Sequence, residues 1–329
     1  MKLRVCIVGG SGHYGYVLES LSDEFDIVAV SPGVVGENLA PLLSKFKQAC
    51  MDPRLYEDYR QMLKSERPDV VVINTHFYMN GKILLQALQM GIHAFVEKPI
   101  ATNLEDLHQI EKIYSEVKDK VFFAAMFGLR YKPWFLTAKN LVDSNAVGEI
   151  RLIHAQKSYK LGERPEFFRK RETFGGTLAW VGIHAIDWIH WISNKRFVSV
   201  YGLHSRMANK NHGELEATGA CLFELEQEVI ATLTVDYLRP PGAETHDDDR
   251  LRIVGTEGIL EVRDQSVLLT DEDGTRVVQN QEQGYIFKDF LNHVLGRGRC
   301  MVTAEQSIYA TYIALKAREA ADERRIVTL

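Results

Sequence analysis

Two patterns of apolar and polar positions divide the chain. Through the first 125 residues, short unbroken apolar runs recur: Val5-Cys6-Ile7-Val8, Phe25-Asp26-Ile27-Val28-Ala29-Val30, Val70-Val71-Val72-Ile73, Ala94-Phe95-Val96 and Val121-Phe122-Phe123-Ala124-Ala125. Such β-branched runs fit strands covered on both faces, as in a parallel sheet. Between them lie helical segments. One covers residues 82–90 and ends at Gly91; another carries Leu104, Leu107, Ile110, Tyr114 and Val117 behind a capping box, Thr102-Asn103-Leu104-Glu105. Beyond residue 125 the pattern changes. A linking helix over 134–144 precedes strands at 150–159, 197–202, 217–225, 229–237, 251–254, 259–262 and 267–270, a succession that fits an antiparallel sheet. Thr303-Ala304-Glu305-Gln306 opens a last helix, about 304–324, expected to pack back on the first domain. The predicted fold class is α/β: a doubly wound parallel sheet in 1–125, then an α+β domain in 126–329.

The first apolar run leads into Gly10-Ser11-Gly12-His13-Tyr14-Gly15 and then a helix-like Tyr16-Val17-Leu18-Glu19. In a dinucleotide site one glycine makes the turn, one admits the pyrophosphate, and one lets the helix pack close to the strand. The spacing therefore predicts a cofactor-binding turn over residues 10–15, with free N–H groups at the helix start facing the diphosphate. A plain structural turn is the alternative. At the end of the second strand, where an NAD-type fold usually has an acid for the ribose hydroxyls, the chain has Ser31-Pro32-Gly33. This leaves NAD and NADP both open. Residues 75–80 form the loop after the next strand, so Thr75 lies at the ligand-binding edge. Glu97-Lys98-Pro99 reaches the same edge. A lysine aimed into a cleft can bond and polarise a substrate hydroxyl; its alternative is a solvated partner of Glu97.

Bulk properties exclude some functions. Net charge is −5 over 329 residues, so no basic surplus favours nucleic acid or an anionic membrane. No apolar run is long enough to span a bilayer, and the first run leads into a glycine turn rather than a signal-peptide cleavage site. The four cysteines, Cys6, Cys50, Cys221 and Cys300, are scattered and fit reduced thiols in a cytoplasmic protein. No residue cluster predicts a metal site: His184 and His190 face different ways and no Cys or acid completes a tetrahedron.

In the second half, Thr177, Trp180, His184, Asp187 and Trp191 step by three or four residues along one predicted helix face. His184 has the ordinary pKa range for proton exchange, or is a core histidine bonded by Asp187 or a backbone carbonyl. Trp180 either meets the C–H side of a sugar ring or fills space. Lys157 and Tyr159 point to one face of their strand. Arg169, in Glu166-Phe167-Phe168-Arg169-Lys170-Arg171, can bind an anionic group or stand in solvent. Residues 239–250 read as a long polar loop with Arg239, His246 and Asp247 as further substrate contacts, or as a charged hairpin tip.

The glycine turn, Glu97-Lys98-Pro99, and Gly175-Gly176 leading to Gly182-Ile183-His184-Ala185-Ile186-Asp187 occur in one order. With them the chain resembles the glucose–fructose oxidoreductase/inositol dehydrogenase (Gfo/Idh/MocA) family along its whole length. The resemblance implies an N-terminal Rossmann domain in 1–125 and a second domain with a large, mostly antiparallel open sheet that makes a homo-oligomer, dimer or tetramer. It implies hydride transfer between NAD or NADP and a hydroxyl carbon of a sugar, polyol or related small molecule held between the domains. Lys98 matches the family's active-site lysine and His184 its histidine. The usual aspartate is replaced by Trp180, and a common histidine by Asn80. The candidate cofactor set is Gly10, Ser11, Gly12, His13, Tyr14, Gly15, Ser31, Thr75, Glu97 and Lys98. The candidate substrate set is Lys98, Arg130, Tyr159, Arg169, Trp180 and His184. The replacements also admit a catalytically silent dinucleotide or sugar sensor, and a lyase or epimerase with a tightly held cofactor.

Overall fold

The computed structural model describes residues 2–329. Its backbone forms two compact units. One comprises residues up to Met126 with Tyr285–Thr311, the other Phe127–Gly284 with Tyr312–Leu329.

The first unit runs β1 (Leu3–Val8), α1 (Gly15–Leu18), β2 (Phe25–Ser31), α2 (Ala40–Gln48), β3 (Arg54–Leu55), α3 (Tyr59–Glu66), β4 (Val70–Ile73), α4 (Phe77–Gln89), β5 (His93–Val96), α5 (Leu104–Val117) and β6 (Phe123–Ala125). The strands form one six-stranded parallel sheet in the order β3-β2-β1-β4-β5-β6. Every residue of β4, and β1 from Val5 onward, is buried, as the unbroken apolar runs require. The order reverses between β1 and β4, so the segments leaving those strands face a crevice at the sheet's carboxyl edge. α5 is capped one residue later than the sequence suggests. Asn103, not Thr102, accepts from the Asp106 N–H at 2.8 Å, and its backbone is extended, as a cap requires.

The second unit contains α6 (Pro133–Asp143), β7 (Ile150–Tyr159), α7 (Arg171–Phe174), a π-helical turn (Leu178–Gly182), α8 (Ile183–Ser193), β8 (Phe197–Ser205), β9 (Thr218–Leu225), β10 (Val229–Asp236), β11 (Asp247–Gly255), β12 (Ile259–Arg263), β13 (Ser266–Asp271) and β14 (Gly274–Val278). These make a nine-stranded sheet, β14-β13-β12-β11-β7-β10-β9-β8-β15, where β15 is Val327–Thr328. Only β7 and β10 pair in parallel; the other neighbours are antiparallel. β7 and β10 pack beneath α8, while Tyr201, Leu203, Leu222 and Ile230 are exposed on the sheet. The expected loop at 239–250 is shorter than its polarity implies. Asp247, Asp248 and Asp249 pair with Tyr159, Ser158 and Lys157, so ladder bonds override their low strand propensity.

Two further helices follow, α9 (Ile286–Val294) in the first unit and α10 (Ala304–Glu323), whose length is divided between the two. Phe287 and Phe290 of α9 pack on Phe95, with ring centroids at 5.2 and 5.4 Å. The Thr303–Gln306 capping box forms in both directions, and Ser307 Oγ accepts the Ala125 N–H at 2.9 Å.

Candidate active site

The glycine turn leaves β1 with Gly9 in the left-handed region, at φ 86°, where a Cβ would lie 2.5 Å from Thr75 Cα. At Gly12 a Cβ would lie 2.5 Å from Glu97 Oε2 and 2.8 Å from Asn74 Oδ1. Glycine is thus required at both positions by close approach. Two expectations are corrected here. The helix after the turn is one turn long, so it brings little macrodipole to an anion. The N–H groups predicted to be free are already used: Ser11 and Gly12 donate to the Asn74 carbonyl at 2.8 and 3.1 Å, and Gly10 donates to Glu37 at 3.1 Å.

Two carboxylates hold the turn. Glu97, wholly buried at the end of β5, accepts at Oε2 from the His13 N–H and pairs there with His13 Nδ1, both at 2.7 Å. Its Oε1 accepts the Lys98 N–H at 3.1 Å. Burial pushes this carboxyl up, but the His13 ring, its hydrogen bonds and nearby Lys98 outweigh burial and hold it below the usual carboxylate range. Glu37, from the segment between β2 and α2, accepts from the Gly10 N–H, Ser11 Oγ at 2.6 Å, the Gly33 N–H at 2.9 Å and Thr75 Oγ1 at 2.8 Å. Sequence reading missed Glu37, whose partners come from three separate segments.

The remaining predicted cofactor residues take varied places. Ser31 is buried with its hydroxyl on the Pro32 carbonyl at 3.1 Å. Thr75 is buried, its hydroxyl spent on Glu37. Tyr14 stands at the start of α1, and the rings of His13 and Tyr16 stack at 5.7 Å. Lys98 is fully buried and begins a cis Lys98–Pro99 peptide. Asn80 belongs to α4 rather than to the preceding loop, which is four residues shorter than expected at its helical end. Its Nδ2 donates to the Glu97 and Pro99 carbonyls at 3.0 and 3.1 Å, so it fixes the backbone on both sides of Lys98.

In the second unit the predicted helix face is interrupted. Leu178–Gly182 is π-helical, and α8 begins only at Ile183, so Trp180 precedes the 3.6-residue repeat on which His184 and Asp187 lie. His184 is 3% exposed, its ring stacked on Trp188 at 6.5 Å. Asp187 pairs with Arg130: both are buried, and Arg130 Nε donates to Asp187 Oδ2 at 2.9 Å and Nη2 to Oδ1 at 2.5 Å. The Arg130 guanidinium also faces the Trp191 ring at 5.3 Å. This candidate substrate contact therefore anchors the His184 helix.

Trp180 sits in an aromatic cluster with Phe168 at 5.2 Å, Phe174 at 6.1 Å and Tyr159 at 6.3 Å. A carboxylate in its place would be surrounded by rings, a costly setting for charge. Tyr159 stacks on His246 at 5.1 Å, and burial holds the His246 ring below the ordinary histidine range, helped by Arg164. Arg164 faces the Phe168 and Tyr237 rings at 5.6 and 5.0 Å. Arg169 is outside this cluster, exposed and paired with Glu166 at 3.0 Å. Lys157, facing Tyr159 and Trp188, is buried and neutralised by Asp249 at 2.6 Å. Burial pushes the Asp249 carboxyl up to about 6. Arg239 bonds Thr245 and Asp248, and Asp247 lies 3.5 Å from Lys157.

Among the described residues no helix is long and apolar enough to cross a membrane. Comparison with known proteins gives two family matches. Residues 3–125 match the oxidoreductase family with an NAD-binding Rossmann fold, and residues 135–261 match the GFO/IDH/MocA C-terminal domain. A Thermotoga maritima protein classed as an oxidoreductase has a solved structure that is 58% identical, with a TM-score of 0.99, covering 99% of this chain and 100% of that one. The myo-inositol 2-dehydrogenase of Thermotoga maritima is 21% identical over 301 residues, 87% of each chain. The inositol 2-dehydrogenase of Salmonella paratyphi B is 27% identical over 205 residues, 61% of this chain; the match spans 57% of that relative's length. GenD2 from gentamicin A biosynthesis, solved with NAD, shares the fold at a TM-score of 0.82 and 20% identity, over 100% of this chain and 96% of that one. With both of its halves matched, the chain belongs to the Gfo/Idh/MocA family of NAD-binding oxidoreductases.

Proposed function

We propose that the protein is a dehydrogenase or reductase acting on the hydroxyl carbon of a sugar, polyol or related small molecule. The observation that carries this reading is Lys98, a fully buried lysine at the carboxyl end of a parallel strand, its backbone fixed by Glu97 and Asn80. The inositol dehydrogenase relatives support a polyol substrate.

The close packing of the glycine turn supports a dinucleotide there: Gly12 leaves no room for a side chain, as a backbone approached by a diphosphate requires. Residues 10–15 with Thr75 would hold the cofactor, which when bound supplies or accepts hydride. Lys98 orients the substrate oxygen and favours its anionic form. His184 takes the hydroxyl proton in oxidation and returns it in reduction, and Arg130 keeps its helix in place through Asp187. Trp180 offers an apolar face to the C–H side of the substrate ring, with Tyr159 beside it.

The test is absorbance at the reduced-nicotinamide band with a panel of polyols and sugars. His184→Ala and Lys98→Ala should each lower turnover about 100-fold or more, the usual scale of acid–base contributions. Unchanged rates in both variants would reject the assignment. Dinucleotide binding without turnover across the panel would favour a silent sensor instead. The exposed sheet face bearing Tyr201, Leu203, Leu222 and Ile230 supports self-association of this chain, checked by light scattering of the eluted protein.

A further inference from the structure

Two donors in the aromatic cluster around Trp180 lack acceptors within the protein. Tyr237, which follows β10, is 2% exposed, and its hydroxyl has no hydrogen-bond partner. A buried tyrosine hydroxyl ordinarily has one. The half-buried Arg164 places its guanidinium 5.0 Å from the centre of the Tyr237 ring, 5.6 Å from Phe168 and 6.0 Å from Trp180. Its Nη2 donates to the Lys160 carbonyl at 3.0 Å, while its buried Nε has no partner. Other cations of this unit have acids: Lys157 has Asp249, Arg169 has Glu166, Arg171 has Glu216 and Arg239 has Asp248; among the described residues no acid pairs with Arg164.

We propose that Arg164 and the Tyr237 hydroxyl receive a carboxylate group of the substrate, so that the sugar or polyol acted on is itself an acid. This rests on the reading above that the substrate ring lies against Trp180. A carboxylate's two oxygens match the planar fork of a guanidinium, and among rings that attraction is less screened than in water. The same rings cover the C–H faces of the molecule. One guanidinium without an acid balances a single negative charge. A phosphate ester brings about −1.5 to −2 and calls for a second cation. Lys160 instead turns its Nζ to the Ala243 carbonyl, and burial holds the His246 ring, stacked on Tyr159, below the ordinary histidine range.

The test is calorimetric titration of the full chain, with NAD⁺ present, against matched acids and neutral partners: D-glucuronate and D-glucose, D-galacturonate and D-galactose, D-gluconate and D-glucitol, with glucose 6-phosphate beside them. At least one acid should bind about tenfold or more tighter than its neutral partner, the scale of a hydrogen bond to a charged group. Arg164→Met, its folding checked by a melting curve, should bring that acid's affinity down to its partner's. Tyr237→Phe, which removes only the hydroxyl, should weaken the acid about two- to tenfold. Four results each overturn the inference: no acid bound more tightly than its partner, the phosphate ester bound more tightly than every acid, a preference that survives Arg164→Met, or no binding across the panel. Reduced-nicotinamide absorbance over the same panel separates the two proposals. Turnover of neutral members with no preference for acids sinks this one alone; acid-selective binding without turnover sinks only the dehydrogenase reading.

Discussion

Replacing Asp187 by asparagine keeps the side chain's volume but removes the carboxylate that faces the buried Arg130 guanidinium. Arg130 is 0% exposed and Asp187 2% exposed, so solvent does not screen the loss. Breaking a buried pair from one side costs about 3–5 kcal/mol, most of it the stranded charge. The cation–π contact with Trp191, worth about 0.5–2 kcal/mol, is present before and after the change and so cancels from the difference. The assay can be local, because all four tryptophans, Trp134, Trp180, Trp188 and Trp191, belong to the second unit. Urea unfolding followed by tryptophan fluorescence therefore reports that unit. With a slope of roughly 2 kcal/mol per molar urea, the Asp187→Asn midpoint should fall by about 1.5–2.5 M. Arg130→Met with Asp187→Leu removes both charges and should restore most of the loss, since an apolar pair of similar volume is often neutral. A single-variant midpoint within roughly 10–15% of wild type would refute the reasoning, as would a double variant less stable than the two single losses combined.

Two more predictions concern the glycine turn. Glu97→Gln should destabilise the first unit at neutral pH, measured by circular dichroism in urea. Because the folded-state carboxyl lies below the ordinary value of 4.5, its contribution is fully present above that pH and lost as pH falls through the lowered value; wild type and variant should converge only in that acid range. Gly12→Ala places a methyl within 2.5 Å of Glu97 Oε2, so thermal melting should show a loss of about 1–3 kcal/mol and calorimetry a weaker NAD⁺ affinity.

What the sequence disclosed depended on how local each signal is. β7 was predicted with its observed bounds, Ile150–Tyr159, because ten residues of strand pattern lie between clear punctuation. The glycine turn and Glu97-Lys98-Pro99 carry their meaning in adjacent residues, as does the capping box at Thr303. Glu37 was invisible because its donors come from residues 10, 11, 33 and 75, and nothing in Val35-Gly36-Glu37-Asn38 announces them. The Arg130–Asp187 pair joins positions 57 residues apart, so Asp187 read equally well as a partner for His184. The π-helical turn also escaped notice, since an apolar stretch such as Leu178-Ala179-Trp180-Val181 suits either helical period. β3 is two residues long and β14 is exposed along four of its five residues, so neither leaves an alternation to find. Arg164 and Arg169 are equal in the sequence; only the chain path selects which one meets the aromatic rings.

The division of the backbone bears on biosynthesis. The parallel sheet's unit borrows residues 285–311 and the larger sheet's unit borrows 312–329, including the strand that pairs with β8. During translation neither unit can complete its fold when its main stretch leaves the ribosome, because the missing pieces are encoded some 30 to 160 codons later, seconds to tens of seconds at about 5–20 residues per second. Until then Phe95 lacks its cover from Phe287 and Phe290, so the nascent chain carries an exposed apolar seam that chaperones are suited to shield.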